Sequence, residues 1–267
     1  MTATNNRIAI HPSATHVGAN MINVASGKGG VGKTWLAVTL AQSLARHGSV
    51  LLFDGDLGLA NVDIQLGLDV VRDLGCVVAG QYNMADAVTP FAAGGFDVLA
   101  GKSGSGLLAD LEREQLRALR EELWRLARRY DHVIVDHGAG VEASVRALIP
   151  RSATTLVVVT DEPTSLTDSY AFIKLTLKRH ADADVRIVVN MAENIRSGER
   201  TYATLAKACQ SFLKVRPPLA GIVPRDTHVP DSIRRQTAIM IRHPDSPAAK
   251  SVQTLARLLR EAPPDHD

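Results

Sequence analysis

The sequence predicts a single α/β domain, a mostly parallel twisted sheet with helices on both faces. Three observations predict it. Short runs rich in Val, Ile and Leu alternate with amphipathic stretches along the chain. A glycine-rich loop separates the first of those runs from a helical pattern, as in a strand–loop–helix unit. No internal repeat, low-complexity segment or long Pro/Gly linker divides the chain. Composition agrees: 45% hydrophobic residues over 267 positions exclude a disordered or collagen-like chain. A net charge of +2 gives no basic block of the kind that announces nucleic acid, so a nucleic-acid partner is not expected.

Residues 1–20 are polar and read as a flexible arm, 21–250 as the domain, and 251–267 as a C-terminal helix and tail. Seven strands are expected: Met21 to Ala25, Val50 to Phe53, Phe96 to Ala100, His132 to Val135, Leu156 to Thr160, Arg186 to Asn190 and Leu219 to Val223. Trp35, Leu36, Val38, Leu44 and Ala45 mark the first helix. Leu116, Leu119, Leu123, Leu126 and Tyr130 recur at steps of three and four, lining one face of a helix that Asp110 can cap. Leu166, Tyr170, Ile173 and Leu177 do the same on a later helix, with Thr164 or Thr167 as its cap. Glycines at 94–95 and 101–106 read as turns. Val252, Leu255, Leu258 and Leu259 close the chain with a short helix. Cys76 and Cys209 lie far apart without CxxC spacing, so no disulfide framework or zinc site is expected. The first residues lack a signal peptide's layout and no apolar run reaches bilayer length, so a cytoplasmic protein is expected.

After the first strand come Gly27, Lys28, Gly29, Gly30, Val31, Gly32, Lys33 and Thr34, then Trp35. This is GxxxxGK[ST] in strand-to-helix context, a loop whose backbone N–H groups turn inward around phosphate oxygens. The helix N-terminus adds its dipole, Lys33 a point charge and Thr34 a hydroxyl for Mg²⁺. Residues 27–35 are therefore the expected nucleotide cradle.

Side chains just past the carboxyl ends of parallel strands face the ligand crevice, which brings Asp54 and Asp56 toward the loop. Asp54 reads equally as a helix cap. The apolar HVIV closed by Asp136 has the form of a Walker B element, whose carboxylate holds Mg²⁺. Thr34, Asp56 and Asp136 are the expected metal residues. His137 follows Asp136, and because Mg²⁺ prefers oxygen a solvated or hydrogen-bonded histidine is expected there. The guanine-reading NKxD pattern is absent at Asn190–Met191–Ala192–Glu193, which favours ATP over GTP. Asn190 can offer donor and acceptor to an adenine edge, and Pro224, Arg225 and Asp226 are placed to add contacts.

The string SGKGGVGKT resembles the deviant phosphate loop of the MinD/ParA family of P-loop ATPases. That resemblance implies ATP or ADP with Mg²⁺ as ligands, and it implies that Lys28 reaches across a nucleotide-sandwiched homodimer to the partner's phosphates. It also places Asp56 close to the attacking water, as base or positioning group. Lys28, Lys33 and Asp56 are then the catalytic residues.

DGDLGLANVDIQLGL and DEPTSLTDSYAFIK resemble segments of the FlhG/FleN branch, MinD-like ATPases that control flagellar number and placement. VVNMAEN, AGIVPRD and IRRQTAIMIRHPDSPAA also follow its course, extending the resemblance over residues 21 to 250. The resemblance implies an ATP-dependent dimerising switch with slow hydrolysis. Its implied partners are an FlhF-type GTPase, a transcription activator or flagellar switch components. Residues 1–20 contain nothing similar to the DQAxxLR-like GTPase-stimulating motif of some members, and His137–Gly138 replace the family's Thr–Ala. Many members dock on the inner face of the cell membrane through a C-terminal amphipathic helix. Here Ser251 to Glu261 could dock so or pack on the body. The competing readings are a ParA-like partitioning ATPase on nonspecific DNA, a MinD-like cell-division site regulator, a metabolic enzyme on the same loop, and a scaffold that binds nucleotide without hydrolysis.

Overall fold

The computed structural model describes residues 20–56, 60–101, 112–139, 150 and 152–261. The arm at 1–19, the expected cap Asp110, the glycine turn beyond Gly101 and the tail at 262–267 lie outside the described residues. Among the described residues the strands are β1 (Met21–Ser26), β2 (Val50–Gly55), β3 (Thr89–Phe91), β4 (Phe96–Leu99), β5 (His132–Ala139), β6 (Thr154–Val159), β7 (Val185–Ala192) and β8 (Leu219–Pro224). They form one sheet in the order β3-β4-β2-β5-β1-β6-β7-β8. Every pairing is parallel except β3 with β4.

Seven of the strands are the expected ones; β3 was not foreseen. It has three residues including Pro90, too short and too proline-bearing to read as a strand from pattern. At the sheet edge proline's missing N–H costs no ladder bond. The hairpin turns at Gly94–Gly95, where Gly95 has φ 76°, and Phe91 meets Phe96 edge-on with ring centroids 5.2 Å apart.

Both faces of the sheet are covered, which is why the strands read as unbroken apolar runs. One face carries α1 (Lys33–Leu44), α2 (Val62–Leu66) and α9 (Pro247–Glu261), packed on Ile22, Val24, Leu52, Ile134, Leu156 and Val188. The other carries α3 (Leu74–Val78) and α4 (Arg113–Ala127) over β2 and β5, then α5 (Pro163–Arg179) and α6 (Ile195–Leu213) over β6 and β7. Two short helices, α7 (His228–Arg234) and α8 (Ile239–Arg242), lead from β8 to α9.

Local chemistry sets the helix ends. Glu112 caps α4 in a capping box with Gln115, and Leu119, Leu123 and Leu126 bury the predicted stripe. In α5 the expected caps Thr164 and Thr167 are corrected: Pro163 takes the first helical position, where its fixed φ suits the helix and its absent N–H is not missed. Both threonines therefore lie inside the helix, and Thr167 Oγ1 donates to the Pro163 carbonyl at 3.0 Å.

The C-terminal helix starts at Pro247, four positions before the expected boundary at 251. Its stripe of Ala248, Ala249, Val252, Leu255 and Ala256 is buried against α1 and β8. Leu258, also on the expected stripe, is exposed. Among the described residues no helix is long and apolar enough to cross a membrane.

Candidate nucleotide site

The phosphate loop spans the gap between β1, the central strand, and α1. Gly30 and Gly32 adopt φ 77° and 89°, a left-handed backbone that glycine enters without strain and that curls the loop. Gly27 has no room for a side chain, because a Cβ there would lie 2.1 Å from the Asp168 carbonyl carbon in α5. The Asn190 amide at the end of β7 donates to the Val31 carbonyl at 2.8 Å, bracing the loop from the far side. Lys33, the first residue of α1, is 8% exposed. Burial lowers its pKa, and the charges of Asp136 and Asp56 oppose that shift. The Trp35 side chain belongs to the core rather than the cradle, which limits its expected nucleotide contact to the backbone.

Asp54 and Asp136 stand opposite each other in the β2–β5 ladder, both buried. Asp54 accepts from the backbone N–H groups of Asp56, Asn61 and Val62 at 3.2, 2.9 and 3.0 Å. It thus closes the loop that carries Asp56 and supplies the capping oxygen that Asn61 does not give α2. Of its two readings, the cap is the one realised. Burial pushes its carboxyl up to about 6, against those three bonds. The Asp136 carboxyl is pushed up to about 8 by burial and by the charge of Asp54, while the Thr34 hydroxyl and Lys33 pull it down. The Asp56 carboxylate abuts Gly138, where a Cβ would come 3.1 Å from Oδ1.

A divalent cation fits these residues. Asp136 Oδ1 is buried and has no hydrogen-bond partner among the described residues, while its carboxylate is bonded to the Thr34 hydroxyl. Such an orphaned oxygen is costly unless a cation or water meets it. Thr34 and Asp136 supply hard oxygen donors of the type Mg²⁺ takes, and the left-handed glycines curl the loop as a phosphate cradle requires.

Three sets of contacts add to the sequence reading, and of the two states expected for His137 the hydrogen-bonded one is seen. Lys28 Nζ is held at the start of α5, donating to the Glu162 carboxylate and to Thr164 Oγ1 at 2.8 Å. His137 is buried and its Nε2 meets Asn23 Oδ1 on β1 at 3.0 Å; burial, then Lys33, depress its pKa to about 3, so the ring is neutral. The signal for this pair was a lone Asn inside the apolar run MINVA, since a buried amide needs a partner. The third concerns the loop after β8, where base contacts were expected from Pro224, Arg225 and Asp226. The Asp226 carboxylate is taken by the His228 N–H at 2.9 Å, the His228 ring at 2.8 Å and the Ala248 N–H at 3.1 Å, and the Arg225 N–H by the Ala192 carbonyl. These bonds organise the β8–α7 turn and the start of α9. One Asn190 N–H is likewise spent on the loop, though its second N–H and its carbonyl oxygen are not.

The profile of the CobQ/CobB/MinD/ParA nucleotide binding domain matches residues 22–239, from β1 to the start of α8. The chain belongs to that family. The antiactivator FleN of Pseudomonas aeruginosa is 36% identical over 238 residues, covering 89% of this chain and 85% of FleN. The flagellum site-determining protein YlxH of Helicobacter pylori is 28% identical, covering 89% of this chain and 81% of YlxH. Among solved structures, the Pyrococcus furiosus cell division ATPase MinD superposes with a TM-score of 0.75 at 26% identity, covering 91% of this chain and 99% of MinD. The MinD protein of Pyrococcus horikoshii, solved with Mg-ADP, gives a TM-score of 0.74 at 24% identity over 90% of this chain and 95% of its own, and shares the fold. Within this MinD/ParA family the chain is a FleN and FlhG homologue with a MinD-like P-loop fold.

Proposed function

We propose that this protein is an ATP-dependent dimerising switch with slow hydrolysis that regulates flagellar number and placement. The observation that carries the reading is the division of labour between two lysines of one loop. Lys33 is buried where the charges of Asp136 and Asp56 act on it, while Lys28 is kept at the rim of α5. A cation parked at the rim is placed to meet a second copy's nucleotide, where two triphosphates facing each other need positive charge from both sides. Likeness to FleN and YlxH supports the flagellar assignment.

Lys33 and the loop N–H groups would hold the phosphates, and Thr34 and Asp136 would hold Mg²⁺. When bound, Mg²⁺ neutralises phosphate charge. Asp56, at the loop end beside Gly138, would orient the water that attacks the γ-phosphorus. ATP and its hydrolysis then exchange the dimer for monomers, and partners read the state. Flagellar regulators, among them an FlhF-type GTPase or a transcription activator, are the partners of this reading, and the cytoplasm is its compartment.

The test is light scattering after gel filtration of the Asp56→Ala protein in ADP and in ATP. Doubling of mass only with ATP is the expected result. A single mass in both nucleotides overturns the switch. Flagellar counts in a deletion strain test the biology, with altered number expected and an unchanged count contradicting it.

A further inference from the structure

β7 ends irregularly beside the phosphate loop. Its Val189 pairs with Ile222 of β8 and its Ala192 with Pro224, so β7 carries one residue more than β8 between those two pairings. That is a bulge. The backbone turns left-handed at Met191, φ 56°, and the Ala192 carbonyl accepts from the Arg225 N–H at 2.7 Å. Lys214 and Gln236, the other non-glycine residues with positive φ among the described residues, lie just past the ends of α6 and α7, where such a backbone is ordinary. Met191 sits inside a strand, and its Cβ makes the left-handed backbone costly there.

The bulge re-aims a side chain. Successive residues of a regular strand point to opposite faces. Here Asn190 and Met191, consecutive in sequence, both reach Gly32 of the loop: a Cβ on Gly32 would lie 2.4 Å from Asn190 Nδ2 and 3.4 Å from Met191 Cε. Asn190 is buried, whereas Met191 keeps part of its surface open to solvent. Two chemistries thus stand side by side at the carboxyl end of a parallel strand, where ligands of such sheets bind. One is an amide with a donor and an acceptor unspent, the other a polarisable apolar thioether. A heteroaromatic base has the matching halves, a polar edge and an apolar face.

We propose that Met191 is a base-binding residue, its thioether lying on the face of the purine while Asn190 meets the edge, and that the left-handed bulge is kept at the expense of stability to bring both side chains to the loop. This rests on the nucleotide-binding reading of the loop and deepens it, and it is independent of dimerisation.

The experiment measures binding of Mg-ADP and of Mg-tripolyphosphate, which has no base, by titration calorimetry, together with the thermal midpoint of each variant. Met191→Ala and Met191→Gly should each weaken ADP about two- to tenfold, the range a thioether–ring contact allows, and leave tripolyphosphate within about twofold. Met191→Leu, which keeps an apolar side chain of similar size, should lose less. The midpoint of the glycine variant should exceed that of the alanine variant by about 2–4 °C, the reverse of their order inside a regular strand. A merely structural role for Met191 would not weaken ADP while sparing tripolyphosphate. The proposal is overturned if ADP affinity is unchanged in both truncations, if both ligands lose equally, or if alanine gives the more stable protein of the two. If the native protein binds neither ligand, the nucleotide reading falls as well. If it binds both and the substitutions shift nothing, only the base contact of Met191 falls.

Discussion

The Asn190 side-chain amide and the Val31 carbonyl are 2.8 Å apart, which ties the end of β7 to the phosphate loop. Replacing Asn190 with Ala leaves that carbonyl without its donor and frees one wall of the cradle. The loss of a buried hydrogen bond of this kind is about 1–3 kcal/mol. Part of it should appear as weaker nucleotide binding, an ADP dissociation constant raised about tenfold by titration calorimetry.

Gly138 touches the Asp56 carboxylate, and a methyl group there would approach Oδ1 to 3.1 Å. Gly138→Ala restores the residue the family carries, yet here it should push Asp56 from its place. ATP turnover should fall about tenfold or more, because small displacements of a positioning group are costly to rate. ADP affinity should stay within about twofold, since no phosphate contact is touched. Steady-state phosphate release and ADP titration measure the two.

Asp136→Asn should remove the response to metal. In the native protein ATP binding should weaken when Mg²⁺ is chelated, because the Asp136 carboxylate and the Thr34 hydroxyl then have no cation to share with the phosphates. In the variant the isotherms with and without chelator should coincide. A full metal response in Asp136→Asn would remove this residue from the metal site.

Asn23 and His137 form one buried polar unit across β1 and β5. His137→Leu alone orphans the Asn23 carbonyl oxygen and should cost about 1–3 kcal/mol in urea unfolding. The double change Asn23→Leu with His137→Leu should cost less than the sum of the two single changes, because contacting partners are not additive.

The Asp226 side chain, 4% exposed, is burdened by burial but held below the usual carboxylate range by the His228 and Ala248 N–H groups and the His228 ring. The sign follows from linkage: a depressed folded pKa means the unfolded chain binds the proton more readily. Its stabilising contribution is therefore complete above the ordinary carboxylate pKa and is lost as pH falls through the folded value. Asp226→Asn should lower the melting temperature at neutral pH and flatten the acid limb of the stability profile, as calorimetry from pH 7 downward would read.

The parts of this molecule that the chain announces are local. The cradle is nine consecutive residues, 27–35, whose glycines and lysines act locally, and the strands show themselves because burial on both faces leaves no polar alternation. What stayed hidden depends on distance along the chain. The hold on Lys28 spans 134 residues and the Asn23–His137 contact 114, so no window of sequence contains both ends. The partners of Asp226 stayed hidden for a related reason: one of its neighbours in space, the start of α9 at Ala248, lies 22 residues along the chain. The stripe of the last helix was visible, but not the α1 surface that covers it.

β1 leads the fold in sequence yet occupies the interior of the sheet, paired with β5 from Val133 and with β6 from Thr154. On the ribosome both lysines of the loop emerge early, but the strands that flank them are synthesised far later, so the nascent segment has to wait for long-range closure. Truncated products carry the whole glycine motif without any wall behind it. Ligand capture then becomes a property of the finished polypeptide, and a nucleotide that binds the closed cradle would selectively stabilise molecules whose synthesis has passed β7.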